Sequence, residues 1–317
     1  MVLSEEPLRG ILITRDSPWR EVRCPEEVTS TNAASLADPR PWRVFTTRHQ
    51  VAGRGRHERA WNSPPGASVA VSLTVPMGED PTRWGWLPLV TGLAVTEALG
   101  GLTGAPDRFA LKWPNDVLLR ESACRESASG ESACEDEDED EDETDAGIGG
   151  RGWLKTCGIL CEAAATTPYG PLAVVGVGVN LDLGRADLPV PTATSLGLAG
   201  LPVPAPAEVV VAFARSFARW HALWSDPAGG LDDVRVSYRA ACTTLGRPVD
   251  VHVPGGDIVR GLAQDVTDAG ELVVAVPRAD GQLGAAGGSW WERHVFAAGD
   301  VVHLRLADAA ESGMIDP

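Results

Sequence analysis

Four short motifs contain residue types that can hold an anionic ligand or act on one. The first, residues 53–56 (Gly-Arg-Gly-Arg), combines two glycines with two guanidinium groups. Glycines let the backbone approach a ligand closely, and free N–H groups beside arginines favour an anion such as a phosphate. A basic surface turn would have the same composition, so this motif alone leaves both interpretations open.

The second motif, residues 112–116 (Lys-Trp-Pro-Asn-Asp), lies between two predicted short strands. Asp116 could hold a magnesium ion and Asn115 could orient a phosphate. The alternative is a proline-containing turn in which the asparagine and the aspartate cap their own backbone. The motif alone does not separate these two alternatives.

The third and fourth motifs lie on predicted strands. Lys155 precedes an apolar strand that contains Gly158, so its ammonium group would lie beside an otherwise dry site. There it could neutralise charge that develops on a phosphate and a carboxylate together. In residues 176–180 (Gly-Val-Gly-Val-Asn), the glycines would form a slot for a flat ligand, with Asn180 at the strand end. The alternative for Lys155 is a solvated lysine at a strand end. The alternative for residues 176–180 is a tightly packed central strand.

The pattern of apolar residues indicates the elements that must position these motifs. It predicts strands at residues 44–47, 69–75, 109–113, 117–119, 154–162 and 172–180. Helices are predicted near Ser30 and over 207–224, where apolar residues recur at helical spacing. Another helix is predicted to start between residues 80 and 88, with Pro88 in its first turn and an apolar stripe formed by Leu87, Val90, Ala94 and Ala98. From about Cys242 short strands alternate with glycine turns, at 249–253, 258–265, 271–276 and 301–306, which predicts a small β-barrel.

The net charge of −17 is concentrated in one place, because residues 135–143 are an unbroken run of nine acids. The rest of the chain is only mildly acidic, which argues against a nucleic-acid surface. Residues 121–152 are rich in Ser, Ala, Gly and acids and have little to bury, which predicts a disordered insertion.

The cysteines and the apolar runs bear on the compartment. Six cysteines show no metal-ligand spacing, and the polar start of the chain is not a secretory leader. The apolar run 172–179 is too short to span a membrane. We therefore predict a cytoplasmic protein with free thiols and no membrane partner.

In this order, the motifs resemble those of the biotin–protein ligase family. The resemblance covers roughly residues 28–306 and is carried by Ser30-Thr31-Asn32, Gln50 with 53–56, 112–116, Lys155 with 158–160, and 176–180. It implies an α+β fold, in which a mixed β-sheet flanked by helices, as in class II synthetases, precedes a small SH3-like β-barrel. The barrel agrees with the change of pattern near Cys242.

The resemblance also implies a division into domains. A segment 1–27 would precede a catalytic biotin- and ATP-binding domain at 28–241 that contains the insertion 121–152. An SH3-like domain at 242–306 and a flexible tail at 307–317 would follow. Because Ser30 comes early in the chain, the resemblance indicates the ligase-only form, without an N-terminal DNA-binding domain.

The activity implied by the resemblance is ATP-dependent adenylation of biotin, followed by transfer to a lysine. The acceptor would be the biotin carboxyl carrier protein domain of acetyl-CoA or acyl-CoA carboxylase, or of pyruvate carboxylase. ATP and biotin would be substrates, and Mg²⁺ the metal. A lipoate-type ligase of the same fold and a non-catalytic biotin-binding sensor are the alternatives. Only Glu58, where the family commonly has a glycine, favours the sensor.

By the family's pattern, the motif residues acquire roles. The implied catalytic residues are Lys155, Arg56 and Asp116, the last also the metal ligand. The implied biotin-binding residues are Ser30, Thr31, Asn32, Gln50, Arg54, Gly55, Arg56, Lys155, Gly158, Gly176 and Gly178. The implied nucleotide-binding residues are Arg54, Arg56, Trp61, Lys112, Asn115, Asn180 and Arg305.

Overall fold

A computed structural model describes residues 2–56, 60–61, 64–121, 152–164, 167–253, 256–278, 291–297 and 300–303. The predictions for Glu58, Arg305, the tail 307–317 and the interior of the insertion 121–152 lie outside these residues.

The first eleven strands precede residue 181. They are β1 (Glu21–Arg23), β2 (Glu27–Val28), β3 (Arg43–Thr47), β4 (His49–Gln50), β5 (Gly53–Arg54), β6 (Ala60–Trp61), β7 (Ser68–Pro76), β8 (Phe109–Lys112), β9 (Asp116–Arg120), β10 (Trp153–Ala163) and β11 (Leu172–Asn180). Seven of them form a mixed sheet in the order β1-β3-β7-β11-β10-β9-β8, in which only β1 and β3 pair in parallel. The six strands predicted for this part of the chain are confirmed.

Five α-helices accompany the sheet in the described part of the chain. They are α1 (Glu5–Leu12), α2 (Thr31–Ala37), α3 (Leu87–Thr103), α4 (Pro206–Ser225) and α5 (Gly230–Ala241). Neither α1 nor α5 was predicted. The helix α1 has eight residues and contains Pro7 and Gly10, which are typical of turns, so the spacing of its buried Leu8 and Leu12 was not recognised as helical. In α5, Leu231, Val234 and Tyr238 are buried at helical spacing, but adjacent glycines and aspartates obscure that pattern.

The prediction of an apolar stripe assumed that α3 is amphipathic. The helix instead lies in the core and is not amphipathic. Pro88 lies in its first turn as predicted, and Gly104 ends it with a φ of 68°. Leu89, Leu93 and Leu99 are buried in addition to the predicted stripe, because α3 packs against both the sheet and α4. By length and composition, the segment Pro81–Thr103 is the one helix in the described part of the chain apolar enough to cross a membrane. Its burial in the core accounts for that composition.

A second, smaller sheet follows α5. Its strands are β12 (Pro248–His252), β13 (Ile258–Val266), β14 (Leu272–Pro277), β15 (Trp291–Phe296) and β16 (Asp300–His303). All neighbours are antiparallel, in the order β15-β14-β13-β12-β16. The predicted small β-domain is confirmed, with β15 as an additional strand. Within the described residues, no pair of strands closes this sheet into a barrel.

The two faces of the large sheet differ in what covers them. On β10, burial raises the pKa of the Cys161 thiol to about 12, although Thr91 of α3 hydrogen-bonds it. Cys157, four residues earlier on the same face, is fully buried. Both cysteines therefore lie on the face of β10 that packs against α3. Gly158 points to the opposite face, which is where the site lies.

Candidate functional site

A cavity of about 590 Å³ opens on the face of the large sheet opposite α3. All the site residues predicted from the sequence line it, except Arg305, which lies outside the described residues. The sequence analysis missed a further group of lining residues, which are Ala70, Trp113, Pro114, Ile159, Leu160, Val177, Pro189, Val190, Thr192, Ala193 and Val301. Five of these lie within the quoted motifs but were given no role of their own. The sequence held no signal for the other six, which belong to no motif: Ala70, Pro189, Val190, Thr192, Ala193 and Val301.

One end of the cavity is formed by the start of α2 and by β4. Ser30 is the N-cap of α2, and its hydroxyl oxygen accepts a bond from the Ala33 N–H. The N–H and the hydroxyl of Thr31 both lie within hydrogen-bond distance of Gln50 Oε1, at 2.9 Å and 3.2 Å. The three residues Ser30, Thr31 and Asn32 are all buried. This end is therefore polar, uncharged and rigidly held.

The Asn32 side chain is fully engaged with the protein. Its Nδ2 donates to the Leu160 carbonyl at 3.1 Å and to Glu162 at 2.8 Å. Its Oδ1 lies 2.6 Å from the hydroxyl of Ser72. A Cβ placed on Gly176 would lie 2.2 Å from the same Oδ1. Gly176 therefore makes room for Asn32, which braces the wall of the cavity with both amide hydrogens already used.

Ser72 is a buried member of this network that the sequence analysis missed. It lies on β7, and its Oγ is 2.8 Å from Thr31 Oγ1. A serine in the middle of a mostly apolar strand was the available signal, because a buried hydroxyl needs a partner.

The glycines of β10 and β11 accommodate an aromatic ring. A Cβ on Gly158 or Gly178 would lie 2.9 Å or 2.5 Å from the Trp61 indole. Lys155 Nζ lies 6.0 Å from the centroid of the same ring, within range of a cation–π contact. Trp61 Nε1 is buried, and no described residue accepts a hydrogen bond from it. The space that was predicted as a slot for a flat ligand is thus filled by the indole of Trp61.

A β-bulge sets the direction of Lys155. The register between β9 and β10 shifts between Lys155 and Cys157, so Thr156 is the extra residue. In a regular strand Lys155 and Gly158 would point to opposite faces, but the bulge brings both to the cavity. The backbone of Lys155 is also fixed, because its N–H donates to the Thr192 carbonyl at 2.8 Å.

The motif 112–116 meets Lys155 and the arginine loop at the centre of the cavity. Lys155 Nζ lies 2.6 Å from Asp116 Oδ1. The Asn115 side chain donates to the Ile159 carbonyl at 2.9 Å and accepts a bond from Arg56 Nη1 at 3.0 Å. Asn115, in the second motif, therefore connects Arg56 of the first motif to strand β10.

The charge of the cavity is positive. Its lining contains four cationic side chains, those of Arg54, Arg56, Lys112 and Lys155, and one carboxylate, that of Asp116. Arg54 also lies 3.7 Å from Glu162, at the edge of the site. A polar neutral end and a cationic centre suit a ligand with an uncharged head and a negative tail, with a phosphate beside it.

Comparison with known proteins gives family matches over both parts of the chain. Residues 25–130 match the family described as "Biotin/lipoate A/B protein ligase family". Residues 244–304 match the family described as "Biotin protein ligase C terminal domain". The first match covers the part of the large mixed sheet from β3 to β9, and the second covers the small antiparallel sheet.

Two relatives are similar over most of their length. A biotin--[acetyl-CoA-carboxylase] ligase of Mycobacterium tuberculosis is 33% identical over 310 residues, which cover 96% of each chain. A biotin--[acetyl-CoA-carboxylase] ligase of Paracoccus denitrificans is 30% identical, over 73% of this chain and 82% of that relative.

Solved structures share the fold. The biotin protein ligase from Aquifex aeolicus in complex with biotin and ATP superposes with a TM-score of 0.62 at 20% identity. That match covers 90% of this chain and all of the other. The biotin protein ligase from Leishmania major in complex with biotinyl-5-AMP gives a TM-score of 0.52 at 20% identity, over 90% and 98% of the two chains.

Proposed function

Because the chain belongs to the biotin protein ligase family, we propose that it attaches biotin to a lysine of a carrier protein in two steps. In the first step, the biotin carboxylate attacks the α-phosphate of ATP, which forms biotinyl-adenylate and releases pyrophosphate. In the second, the acceptor lysine attacks the mixed anhydride and AMP leaves. The observation that carries this proposal is that one cavity is lined by all the predicted site residues that the structure describes.

The neutral end of the cavity would hold the ureido ring of biotin. Ser30, Thr31 and Gln50 offer hydroxyl and amide groups that can both donate and accept, which suits an uncharged urea. Asn32 would contribute by supporting the cavity wall, since both of its amide hydrogens are already engaged in bonds to the protein. Gly176 would contribute by leaving room for Asn32, and Gly158 and Gly178 by leaving room for the Trp61 ring at the border of the biotin site.

The cationic centre would bring the two anions together. Lys155 lies where it can contact both a carboxylate oxygen and the α-phosphate, and charge develops on both during the attack. Arg54, Gly55 and Arg56 would cover the same groups from the loop, with Arg56 anchored on Asn115. These cations reduce the mutual repulsion of carboxylate and phosphate.

The nucleotide would occupy the side of the cavity formed by Trp61, Lys112 and Asn180. An indole beside a lysine presents a flat face for the adenine ring. Asn180 is buried at the end of β11, and its side chain donates to the Thr194 carbonyl at 3.0 Å. Its main role on this side would be to hold the loop that contains Pro189 and Thr192 against the nucleotide. By the family's pattern, Arg305 would also belong to this side.

Mg²⁺ would enter with the nucleotide. Such an ion is usually held by one or two carboxylates together with substrate phosphates. The described cavity offers a single carboxylate, that of Asp116, so it fits a metal that brings most of its oxygen ligands with it. When bound, the ion would neutralise phosphate charge. In the same place Asp116 can accept a proton from, or orient, the attacking amine.

The acceptor would be the biotin carrier domain of a carboxylase. Two relatives bear names that specify acetyl-CoA carboxylase. We extend the proposal to the carriers of acyl-CoA and pyruvate carboxylases because they present the same acceptor chemistry. We propose that the protein acts in the cytoplasm, since the described cysteines Cys24, Cys157, Cys161 and Cys242 are all free thiols.

The test is transfer of biotin to a carrier domain. The protein is incubated with ATP, Mg²⁺, biotin and a purified biotin carboxyl carrier domain, and streptavidin detects the product. Pyrophosphate release is measured in parallel with biotin and with lipoate. Labelled carrier and biotin-dependent pyrophosphate are expected. Activity with lipoate alone would assign the lipoate chemistry, and binding of biotin without pyrophosphate would indicate a sensor.

A further inference from the structure

A turn of the small sheet touches the chain segment that bears Asn115 and Asp116. This turn, residues 267–271 between β13 and β14, is called the β13–β14 turn here. The Trp113 indole N–H donates to the Gly270 carbonyl at 3.1 Å, and the Trp86 indole N–H donates to the Asp268 carbonyl at 2.9 Å. Both indoles are buried. The turn therefore binds to the large sheet and its helices through two equivalent bonds.

The backbone of the turn lies directly on the backbone before α3. A Cβ on Gly85 would lie 2.1 Å from the Ala269 carbonyl oxygen, and a Cβ on Gly270 would lie 2.6 Å from the Gly85 carbonyl carbon. Gly270 also has a φ of 84°, which disfavours any side chain. Arg235 of α5 forms an ion pair with Asp268 at 2.5 Å. The turn is thus fixed by backbone packing and by charge.

Trp113 is also held by its main chain. Its N–H donates to Thr244 Oγ1 at 3.0 Å, and Thr244 is fully buried. One residue earlier in that segment, the Thr243 N–H donates to the Leu111 carbonyl at 2.8 Å. The segment between α5 and β12 therefore fixes the backbone at the end of β8, while the β13–β14 turn fixes the Trp113 ring.

Trp113 is followed closely by the two polar residues at the centre of the cavity. Asn115 bonds to Arg56 and to β10, and Asp116 lies 2.6 Å from Lys155. Only Pro114 separates Trp113 from this pair, and a proline has a nearly fixed φ. A displacement of Trp113 would therefore pass to Asn115 and Asp116.

We propose that Trp113 is a positioning residue through which the small sheet sets the geometry of Asn115 and Asp116 for adenylation. It acts through these neighbours, by means of its bonds to the Gly270 carbonyl and to Thr244. This inference rests on the proposed function, because adenylation is the reaction in which the effect would be seen. Trp86 provides the matched control, since it makes the same kind of bond to the same turn but leads into α3 and not into the cavity.

The experiment compares Trp113→Phe with Trp86→Phe in the full chain. Each change keeps a large aromatic ring and removes one indole donor, so both variants should lose a similar amount of thermal stability. We expect Trp113→Phe to lower kcat for biotin-dependent pyrophosphate release about tenfold, because small misplacements of reacting groups reduce rates strongly. The KM for biotin should stay within about twofold, because Thr31 and Gln50 are not displaced. Trp86→Phe should keep the wild-type kcat.

Equal kcat values in the two variants, whether unchanged or equally reduced, would overturn the inference. A wild-type protein that releases no pyrophosphate would overturn the proposed function as well, so the two failures are distinguishable.

A second pair of variants decides the matter if Trp113→Phe does not fold. Thr244→Val removes the oxygen that accepts the Trp113 N–H, with little change of shape, whereas Thr244→Ser keeps it. We expect Thr244→Ser to retain the wild-type kcat and Thr244→Val to lose several-fold, again with an unchanged KM for biotin. If serine and valine give the same kcat, Trp113 does not position the motif.

Discussion

At the scale of single residues, Lys155 has the largest predicted effect on the chemistry. Its ammonium group is held by a bulge, a fixed backbone and Asp116, so it is already oriented before the reaction begins. Loss of such a preorganised charge contact costs about 10² to 10³ in kcat. Lys155→Ala should therefore reduce pyrophosphate release by at least that factor.

Lys155→Gln is the informative control for this prediction. Glutamine keeps most of the shape and can donate a hydrogen bond, but it has no charge. We expect it to be almost as inactive as Lys155→Ala. Near-normal pyrophosphate release in either variant would show that Lys155 does not act on the phosphate.

His221 allows a prediction about pH that is independent of the site. Burial lowers the pKa of His221 from its ordinary value of 6.5, and the Pro76 carbonyl accepts a bond at 2.8 Å from the ring. Below pH 6.5 the unfolded chain therefore binds a proton that the folded protein does not. The free energy of unfolding should fall as the pH is lowered from 7 to 5.

The contribution of His221 is isolated by His221→Gln, whose amide can donate to the Pro76 carbonyl but does not titrate. Urea unfolding at pH 7 and at pH 5 measures the dependence in both proteins. The variant should lose less stability between the two pH values than the wild type does. The same loss in both proteins would assign the pH dependence to other groups.

At the scale of elements, β11 carries two glycines with separable tasks. A methyl group on Gly176 would meet Asn32 and disturb the neutral end, whereas one on Gly178 would meet the Trp61 ring. We expect Gly176→Ala to raise KM mainly for biotin and Gly178→Ala to raise it mainly for ATP. Both contacts are shorter than a van der Waals approach, so each effect should exceed about tenfold, or about 1.4 kcal/mol.

Initial rates with one substrate saturating and the other varied measure both KM values for each glycine variant. The two variants serve as controls for each other, because they lie on one strand and on one face. If both raise the same KM, the assignment of the two ends of the cavity is wrong.

Some elements of the fold could be predicted from the sequence and others could not. Strands such as β7, β10 and β11 were predictable because their apolar patterns depend on local burial. The motif residues were identified by residue type and order. The bulge at Thr156 was not predictable, because hydrogen-bond register between strands leaves no mark on residue type. The Trp113–Gly270 bond joins residues 157 positions apart, beyond the reach of any local pattern.

Other omissions have similar physical causes. The loop that contains Pro189 and Thr192 presents short apolar and hydroxyl groups, which are common in ordinary loops. The helix α1 is amphipathic but short, and its contacts with α4 and β1 stabilise it. In each case the decisive interaction comes from a distant part of the chain.

At the scale of the whole molecule, the large sheet supplies the reacting groups and the small sheet contacts them from one side. Val301 of β16 lines the cavity, and the β13–β14 turn bonds to Trp113. The acidic segment attaches at the far end of the β9–β10 pair. Asp116 pairs with Gly158 in register near the site, whereas Arg120 pairs with Trp153 near the attachment point. Both arrangements connect a peripheral part of the chain to the strands that bear Asp116 and Lys155.

The last prediction concerns the replacement of residues 122–151 by a short Gly/Ser linker. Glu121 and Gly152 already face each other, with the Glu121 N–H donating to the Gly152 carbonyl at 2.8 Å, so a few residues can close the pair. Shortening the connection from thirty residues to about four is roughly three doublings, which should stabilise the fold by up to about 2 kcal/mol. Pyrophosphate release should equal that of the wild type, because the charged run contains no predicted site residue.

Transfer of biotin to the carrier domain is measured in parallel, also for a second variant that keeps the full length but has serines in place of the nine acids. If both variants adenylate biotin normally but fail to label the carrier, the acidic run docks a basic partner. If only the shortened variant fails, length and not charge matters for transfer.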